Sequence, residues 1–377
     1  MPARLPFRLL RTPLALLTLT SALAAQDPIR IGEFASLTGK EATYGQTVHK
    51  GTVLAIEEAN AAGGVLGRPL ELLTEDDQSK PGESATVVKK LISRNKVVAV
   101  LGELTSGRTL EAAPIAQAAK IPLISPGATA VEVTAKGSYI FRVCFIDEFQ
   151  GTVMAKFALE SLKVRRVAVL SSVSSAQSVG LSRFFKERFA AGGGTVAIEQ
   201  KYGEGDKDFR AQLTAIKAAN VEALFVPGYY TEAALISRQA RDLGLTIPLL
   251  GIDGWESPEL IAIAGKAVEG SYFSTHYSAE NQSDAVASFN ARFRARWGED
   301  SNALSALAYD AAKVLIDAIR RAGTTEGPKL RDALAATRDF VGATGRITFD
   351  AQRNPTKSAV VLTVKNGRFT FVQDVNP

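Results

Sequence analysis

Residues 97–109 read Val97-Val98-Ala99-Val100-Leu101-Gly102-Glu103-Leu104-Thr105-Ser106-Gly107-Arg108-Thr109, five apolar side chains followed by a small polar turn. A run this short and this rich in β-branched residues suits a strand buried on both faces of a parallel sheet. Runs of the same kind recur at 29–31, 121–124, 167–170, 223–226 and 247–250. Between them apolar residues fall at helical spacing, as with Val48, Ala55, Ile56 and Ala59. The alternation continues to about Phe273 and predicts parallel βαβ units, hence an α/β fold. Stretches 282–298, 303–322 and 328–337 then read as helices, and Asn366-Gly367 joins 360–364 to 369–372 as a tight hairpin. No period of 20 to 50 residues is visible, which disfavours a solenoid.

The N-terminus carries the order of an export signal. Arg4, Arg8 and Arg11 form a basic start, 13–23 an apolar stretch, and Ala22-Leu23-Ala24 a small-x-small cleavage site. The apolar stretch is too short for a permanent bilayer span. Cleavage near residue 24–25 would start the mature chain at Ala25 or Gln26 and leave about 352 residues, enough for two domains. Without the three signal arginines the formal charge of +5 falls to about +2, and nothing in it demands nucleic acid or an anionic membrane. Cys144 is the only cysteine, so the exported chain stands without an intramolecular disulfide. No cysteine follows the small residues of the signal, so a free periplasmic protein is expected rather than a lipid-anchored one. His49 and His276 are far apart and lack zinc-ligand spacing, and no serine sits in a GxSxG elbow. No cofactor, metal or catalytic set is expected.

In open parallel sheets, ligands bind beyond the carboxyl ends of strands, where helix N-termini present backbone donors. Gly102 to Thr109 spaces two glycines as a phosphate loop does, but Arg108 stands where that loop needs its lysine. Thr105 and Ser106 either cap the following helix or offer hydroxyl and amide donors to a carboxylate. Ser125-Pro126-Gly127-Ala128-Thr129 is a second exit of the same chemistry, and Gly127 permits close backbone approach. Gly228-Tyr229-Tyr230 follows a later run, and Gly251-Ile252-Asp253-Gly254-Trp255 the next. Asp253 reads as a carboxylate on a bare loop, able to pair with an ammonium, or as an Asx-turn residue. Tyr229 and Trp255 could wall a pocket or simply pack half-buried. Tyr44 follows the first strand and could close over a ligand. Hydroxyls and amides from one half, with a carboxylate and aromatics from the other, match a zwitterion.

At these residues the chain resembles the solute-binding proteins of branched-chain amino acid ABC transporters, the type I periplasmic binding fold. The resemblance runs from Ile29-Arg30-Ile31-Gly32 through Tyr44-Gly45, Ala62-Gly63-Gly64-Val65-Leu66-Gly67, the two exits above, Arg238-Gln239-Ala240-Arg241 and Gly251 to Gly254. It implies two Rossmann-like lobes with parallel central sheets, joined by three crossovers and closing on one amino acid, which is presented to a membrane permease. With polar breaks near Asp147, after Ser274 and around Asn354, the lobes would comprise 26–146 plus 275–355 and 147–274 plus 356–377, after a signal at 1–25. It further implies that Ser106 and Thr129 hold the ligand carboxylate, with Gly127 supplying a carbonyl from the turn that includes Ala128. Asp253 would hold the ammonium, and Tyr229 and Tyr44 would line the pocket. The chain departs from the leucine-binding members in having Asp253 for glutamate, Gln177 near a tyrosine position, and Trp255 for a smaller residue. Those departures touch the side-chain pocket, so the expected ligand is an amino acid, branched-chain or otherwise apolar.

The expected protein is therefore a monomeric, non-enzymatic receptor for ABC import. Two alternatives stand beside it. One is a module sensing an amino acid, amide or small carboxylate for a regulatory partner. The other is an exported carboxylate enzyme, for which Asp253 has no evident acid–base partner.

Overall fold

The apolar runs become strands and the periodic stretches helices in the computed structural model, which describes residues 1, 3, 27–281 and 283–375. The expected signal and cleavage site lie outside the described residues, Met1 and Ala3 apart. The first unit runs β1 (Ile29–Ala35), α1 (Ala42–Ala61), β2 (Leu70–Asp76), α2 (Glu83–Ser93), β3 (Ala99–Leu101), α3 (Ser106–Ala119), β4 (Leu123–Ser125), α4 (Glu132–Ala135) and β5 (Ile140–Arg142). Its five strands pair in the order β2-β1-β3-β4-β5, all parallel.

The second unit runs α5 (Asp147–Lys156), β6 (Arg166–Ser172), α6 (Ala176–Ala191), β7 (Thr195–Tyr202), α7 (Arg210–Ala218), β8 (Ala223–Phe225), α8 (Tyr230–Asp242), β9 (Leu249–Gly251), α9 (Pro258–Ala264) and β10 (Tyr272–Thr275). After it come α10 (Asp284–Trp297), α11 (Ala303–Ala322), α12 (Gly327–Ala335), the antiparallel pair β11 (Phe340–Gly342) and β12 (Gly345–Ile347), and the hairpin β13 (Ala359–Lys365) and β14 (Arg368–Val375). The hairpin joins the second sheet antiparallel, in the order β14-β13-β10-β9-β8-β6-β7.

The chain passes between the two sheets three times: between Arg142 and Arg166, after Thr275, and between Ile347 and Ala359. On the last passage but one it returns to the first sheet, where α11 packs along α1. The contact is close because Gly51 carries no side chain: a Cβ there would lie 2.1 Å from the Ser305 carbonyl oxygen. Helix α11 starts where it does because the Asn302 side chain accepts from the Ser305 amide at 3.0 Å while the Ser305 hydroxyl accepts from the Asn302 amide at 3.1 Å. That is a reciprocal capping box. Beneath these helices Ile31, Leu54, Ile124, Phe141, Leu315 and Ile319 form one apolar core, and Val169, Leu224, Phe225, Leu250 and Phe273 belong to the core of the other sheet. Among the described residues no helix is long and apolar enough to cross a membrane.

Candidate functional site

Each sheet turns its strand exits toward the other, because parallel strands all end on the same edge. From the first lobe, β3 leads through Glu103 into α3 and β4 into the turn at Ser125. Glu103 is buried; its Oε2 accepts from the Thr105 amide and hydroxyl, both at 2.6 Å. Thr105 occupies the N-cap position of α3, yet its hydroxyl turns to Glu103 and makes no cap bond. Burial, with the Asp77 and Glu41 carboxylates nearby, pushes the Glu103 carboxyl up to about 8. The Ser106 hydroxyl accepts from the Ala130 amide at 3.1 Å and fastens α3 to the β4 exit. Within that exit the Ala128 amide donates to Ser125 Oγ at 2.9 Å, and the Ala128 carbonyl accepts from Arg142 at 2.6 Å. Gly127 leaves room for Leu104, whose Cδ1 would stand 2.4 Å from a Cβ. Arg108, the residue in the lysine place of a phosphate loop, is committed to Glu111 at 2.8 Å and to the Ser79 carbonyl at 3.2 Å.

From the second lobe, β9 ends at Gly251 and the chain enters a single 3-10 turn over Asp253–Trp255. Asp253 is therefore not on a bare loop; it is buried and already surrounded by donors. Its Oδ1 accepts from Gln150 Nε2 at 3.0 Å, Gln177 Nε2 at 3.0 Å and the Gly254 amide at 3.1 Å. Its Oδ2 lies 3.0 Å from His276 Nε2. The Gln177 amide also donates across the cleft to Thr129 Oγ1 at 2.8 Å. One side chain thus joins the two residues expected at opposite ends of a zwitterion.

Tyr44, at the start of α1, is wholly buried between the lobes. Its ring meets Tyr229 edge-on at 5.8 Å and Tyr230 at 4.9 Å, and its hydroxyl donates to the Gly254 carbonyl. Tyr230 in turn donates to the Lys40 carbonyl at 2.7 Å. Burial raises both the Tyr44 and the Tyr229 phenols well above their ordinary range, so they stay neutral. The space enclosed by Tyr44, Leu104, Thr105, Gly127, Gln177, Tyr229, Asp253, Gly254 and Leu304 is about 10 Å³. That is room for about one water. A hollow of about 560 Å³ opens instead beside the crossovers, lined by His276, Thr344 and Lys357 among others. Convergent polar groups, rather than volume, mark the interlobe cleft as the candidate site.

Six of the ten residues expected from sequence line this enclosure: Tyr44, Thr105, Gly127, Gln177, Tyr229 and Asp253. Ser106, Ala128 and Thr129 stand in the same strand-exit turns immediately behind it. Trp255 does not face the cleft. It is fully buried within the second lobe, its indole N–H donating to the Val226 carbonyl at 3.1 Å. The glycine of the same turn makes room for it: a Cβ at Gly251 would lie 2.2 Å from the indole ring. Gln150, His276 and Glu103 complete the polar surroundings and had not been singled out. Gln150 lies on α5 with no motif around it, and His276 stands in the sequence as an isolated imidazole without zinc-ligand spacing.

The sequence profile described as "Periplasmic binding protein" matches residues 28–368. The chain belongs to that family. This periplasmic binding protein is 32% identical over 338 residues to the Leu/Ile/Val-binding protein BraC3 of Rhizobium johnstonii, covering 88% of this chain and 91% of that one. It is 34% identical over 327 residues to a leucine-, isoleucine-, valine-, threonine- and alanine-binding protein of Pseudomonas aeruginosa, covering 86% and 87%. Among solved structures, the leucine binding protein LivK of Thermotoga maritima aligns with a TM-score of 0.90 at 41% identity, over 93% of this chain and 99% of that one. The branched-chain amino acid transporter substrate binding protein LivJ of Streptococcus pneumoniae, in complex with isoleucine, aligns at 0.88 and 35%, over 93% and 100%.

Proposed function

We propose that this protein captures an aliphatic amino acid of branched-chain size between its lobes and delivers it to the membrane permease of an ABC importer. The similarity over nearly the whole chain to a structure holding isoleucine carries the reading. The cleft supports it: hydroxyl and amide groups around Ser106 and Thr129 on one side suit a carboxylate, and Asp253 on the other suits an ammonium. On this reading Gly127 and Ala128 shape the carboxylate turn, and Thr105, Tyr44, Tyr229 and Gln177 surround the ligand. The lobes are assigned as 26–146 plus 275–355 and 147–274 plus 356–377. On the same reading the protein is exported to the periplasm with its signal cleaved near residue 24–25, and works there as a monomeric receptor rather than an enzyme.

A thermal-shift series with single amino acids tests the assignment. Ligand at 100 times its Kd adds about 2.7 kcal/mol to the native state. In lobes of this size about 1 kcal/mol moves the midpoint by about 2–4 °C, so the melting temperature should rise by roughly 5–11 °C. Leucine, isoleucine or valine should produce the rise and glutamate or lysine should not. No shift with any of the three aliphatic amino acids overturns the reading.

A further inference from the structure

Strands β9 and β10 are parallel neighbours, with Tyr272 beside Leu250 and Phe273 beside Gly251. Their exits therefore emerge side by side, one carrying Asp253 and the other His276. The imidazole touches three parts of the molecule at once. Its Nε2 lies 3.0 Å from Asp253 Oδ2, its ring stacks on Phe145 at 3.6 Å with 27° between planes, and its backbone begins the second crossover. Phe145 itself sits in the first crossover, between β5 and α5. The side chain is fully buried and Nδ1 has no hydrogen-bond partner.

We infer that His276 is a positioning residue for ligand capture: it holds one oxygen of the Asp253 carboxylate and, through Phe145, ties the aim of that carboxylate to the path of the crossovers. The inference rests on the reading of Asp253 as partner of the ligand ammonium. A carboxylate oxygen only accepts, so Nε2 carries a proton; Nδ1 is buried with no acceptor for a second N–H, which assigns the ring as neutral with Nδ1 bare. The neutral ring leaves the negative charge of Asp253 available to a ligand. An imidazolium would use that charge itself and repel a second cation. Burial lowers the proton affinity of the ring, against the pull of Asp253, and Lys357 lowers it further. The other ionisable groups around it are Cys144 and Asp147, flanking Phe145 in the first crossover, and Glu256, bonded to the neighbouring Thr275. Truncating His276 releases the Oδ2 end of the carboxylate, which is then held at Oδ1 alone, and removes the link to the first crossover.

The chain has two histidines, so a His49→Gln background leaves a single imidazole for nitrogen NMR. At about pH 6 the ring should be the neutral Nε2–H tautomer. An imidazolium at that pH, or the Nδ1–H tautomer, overturns the inference. Calorimetry with L-leucine then tests capture. His276→Phe keeps the stack on Phe145 but loses the donor, and should bind at least tenfold more weakly with an almost unchanged melting temperature. His276→Gln, which restores a donor, should recover part of the loss. Wild-type affinity should fall as pH drops from about 7 to about 5, and His276→Phe should lack that component of the fall. Glu41, Glu103 and Glu256, all pushed up by burial, titrate in both proteins and cancel in the comparison. Wild-type binding with an indifferent His276→Phe overturns the role of His276 alone. Absence of wild-type binding to leucine, isoleucine and valine overturns the functional reading and the capture role with it, and the tautomer then decides the contact by itself.

Discussion

Asp253 has four hydrogen-bond partners within the protein, three on one oxygen and one on the other. Such a carboxylate is fixed in direction, and fixed direction distinguishes a clamp from a surface charge. Asp253→Asn retains the shape and removes the charge. It should weaken leucine binding by about 2–5 kcal/mol, the usual cost of deleting one partner of a buried charge pair. Calorimetry checks this, and unchanged affinity would show that the ammonium binds elsewhere. Trp255, at the other end of the same 3-10 turn, behaves differently because its indole faces the interior. Trp255→Phe should cost about 1–3 kcal/mol of stability, through the stranded Val226 carbonyl and the lost volume, while leaving the rank order of bound amino acids as it was. Urea unfolding gives the first quantity and competition binding the second.

Between elements, α1 and α11 approach closely at Gly51. Gly51→Ala forces a methyl group into the Ser305 carbonyl and should destabilise the protein by about 1–3 kcal/mol, or more if the helices cannot separate. A melting temperature equal to that of the parent would refute the packing. Interior strands were legible in the sequence because both their faces are buried, which writes an unbroken apolar run, as in β3, β6 and β8. Edge strands β2 and β7 were not, since Leu70–Asp76 and Thr195–Tyr202 are only half buried and mix charges with aliphatics. The site divides in the same way. Residues at strand exits could be found by their glycine-flanked turns, whereas Gln150 reaches Asp253 from mid-helix, where a glutamine resembles any solvent-facing one. The indole of Trp255 misled because sequence proximity to Asp253 does not say which side of a 3-10 turn a side chain leaves.

For the molecule as a whole, buried acids set the response of stability to pH. Glu41 is pushed up to about 7 and Glu103 to about 8, in both cases chiefly by burial, and the Glu33 carboxylate raises His49 above its usual value of 6.5. In each case the native state holds its proton at a pH where the unfolded chain has released it. The native state therefore binds more protons, and stability falls as pH rises from about 6.5 to about 8. Lys357, lowered to about 8 by burial, has the opposite sign but acts only above that range. Urea midpoints measured across the interval should decline, and Glu103→Gln should flatten the decline; a rising midpoint would contradict these assignments.

The pairing of α1 with α11 also orders events in time. A ribosome delivers β1 through β5 long before Ala303–Ala322 exists, so one face of the first sheet has only α1 of its two long helices, and stays partly uncovered, until most of the polypeptide has been made. The second sheet has its five parallel strands by Thr275 and lacks only its closing hairpin. The half synthesised first is thus the half finished late, and the exposed aliphatic face of the nascent chain is where a chaperone would find its longest-lived target.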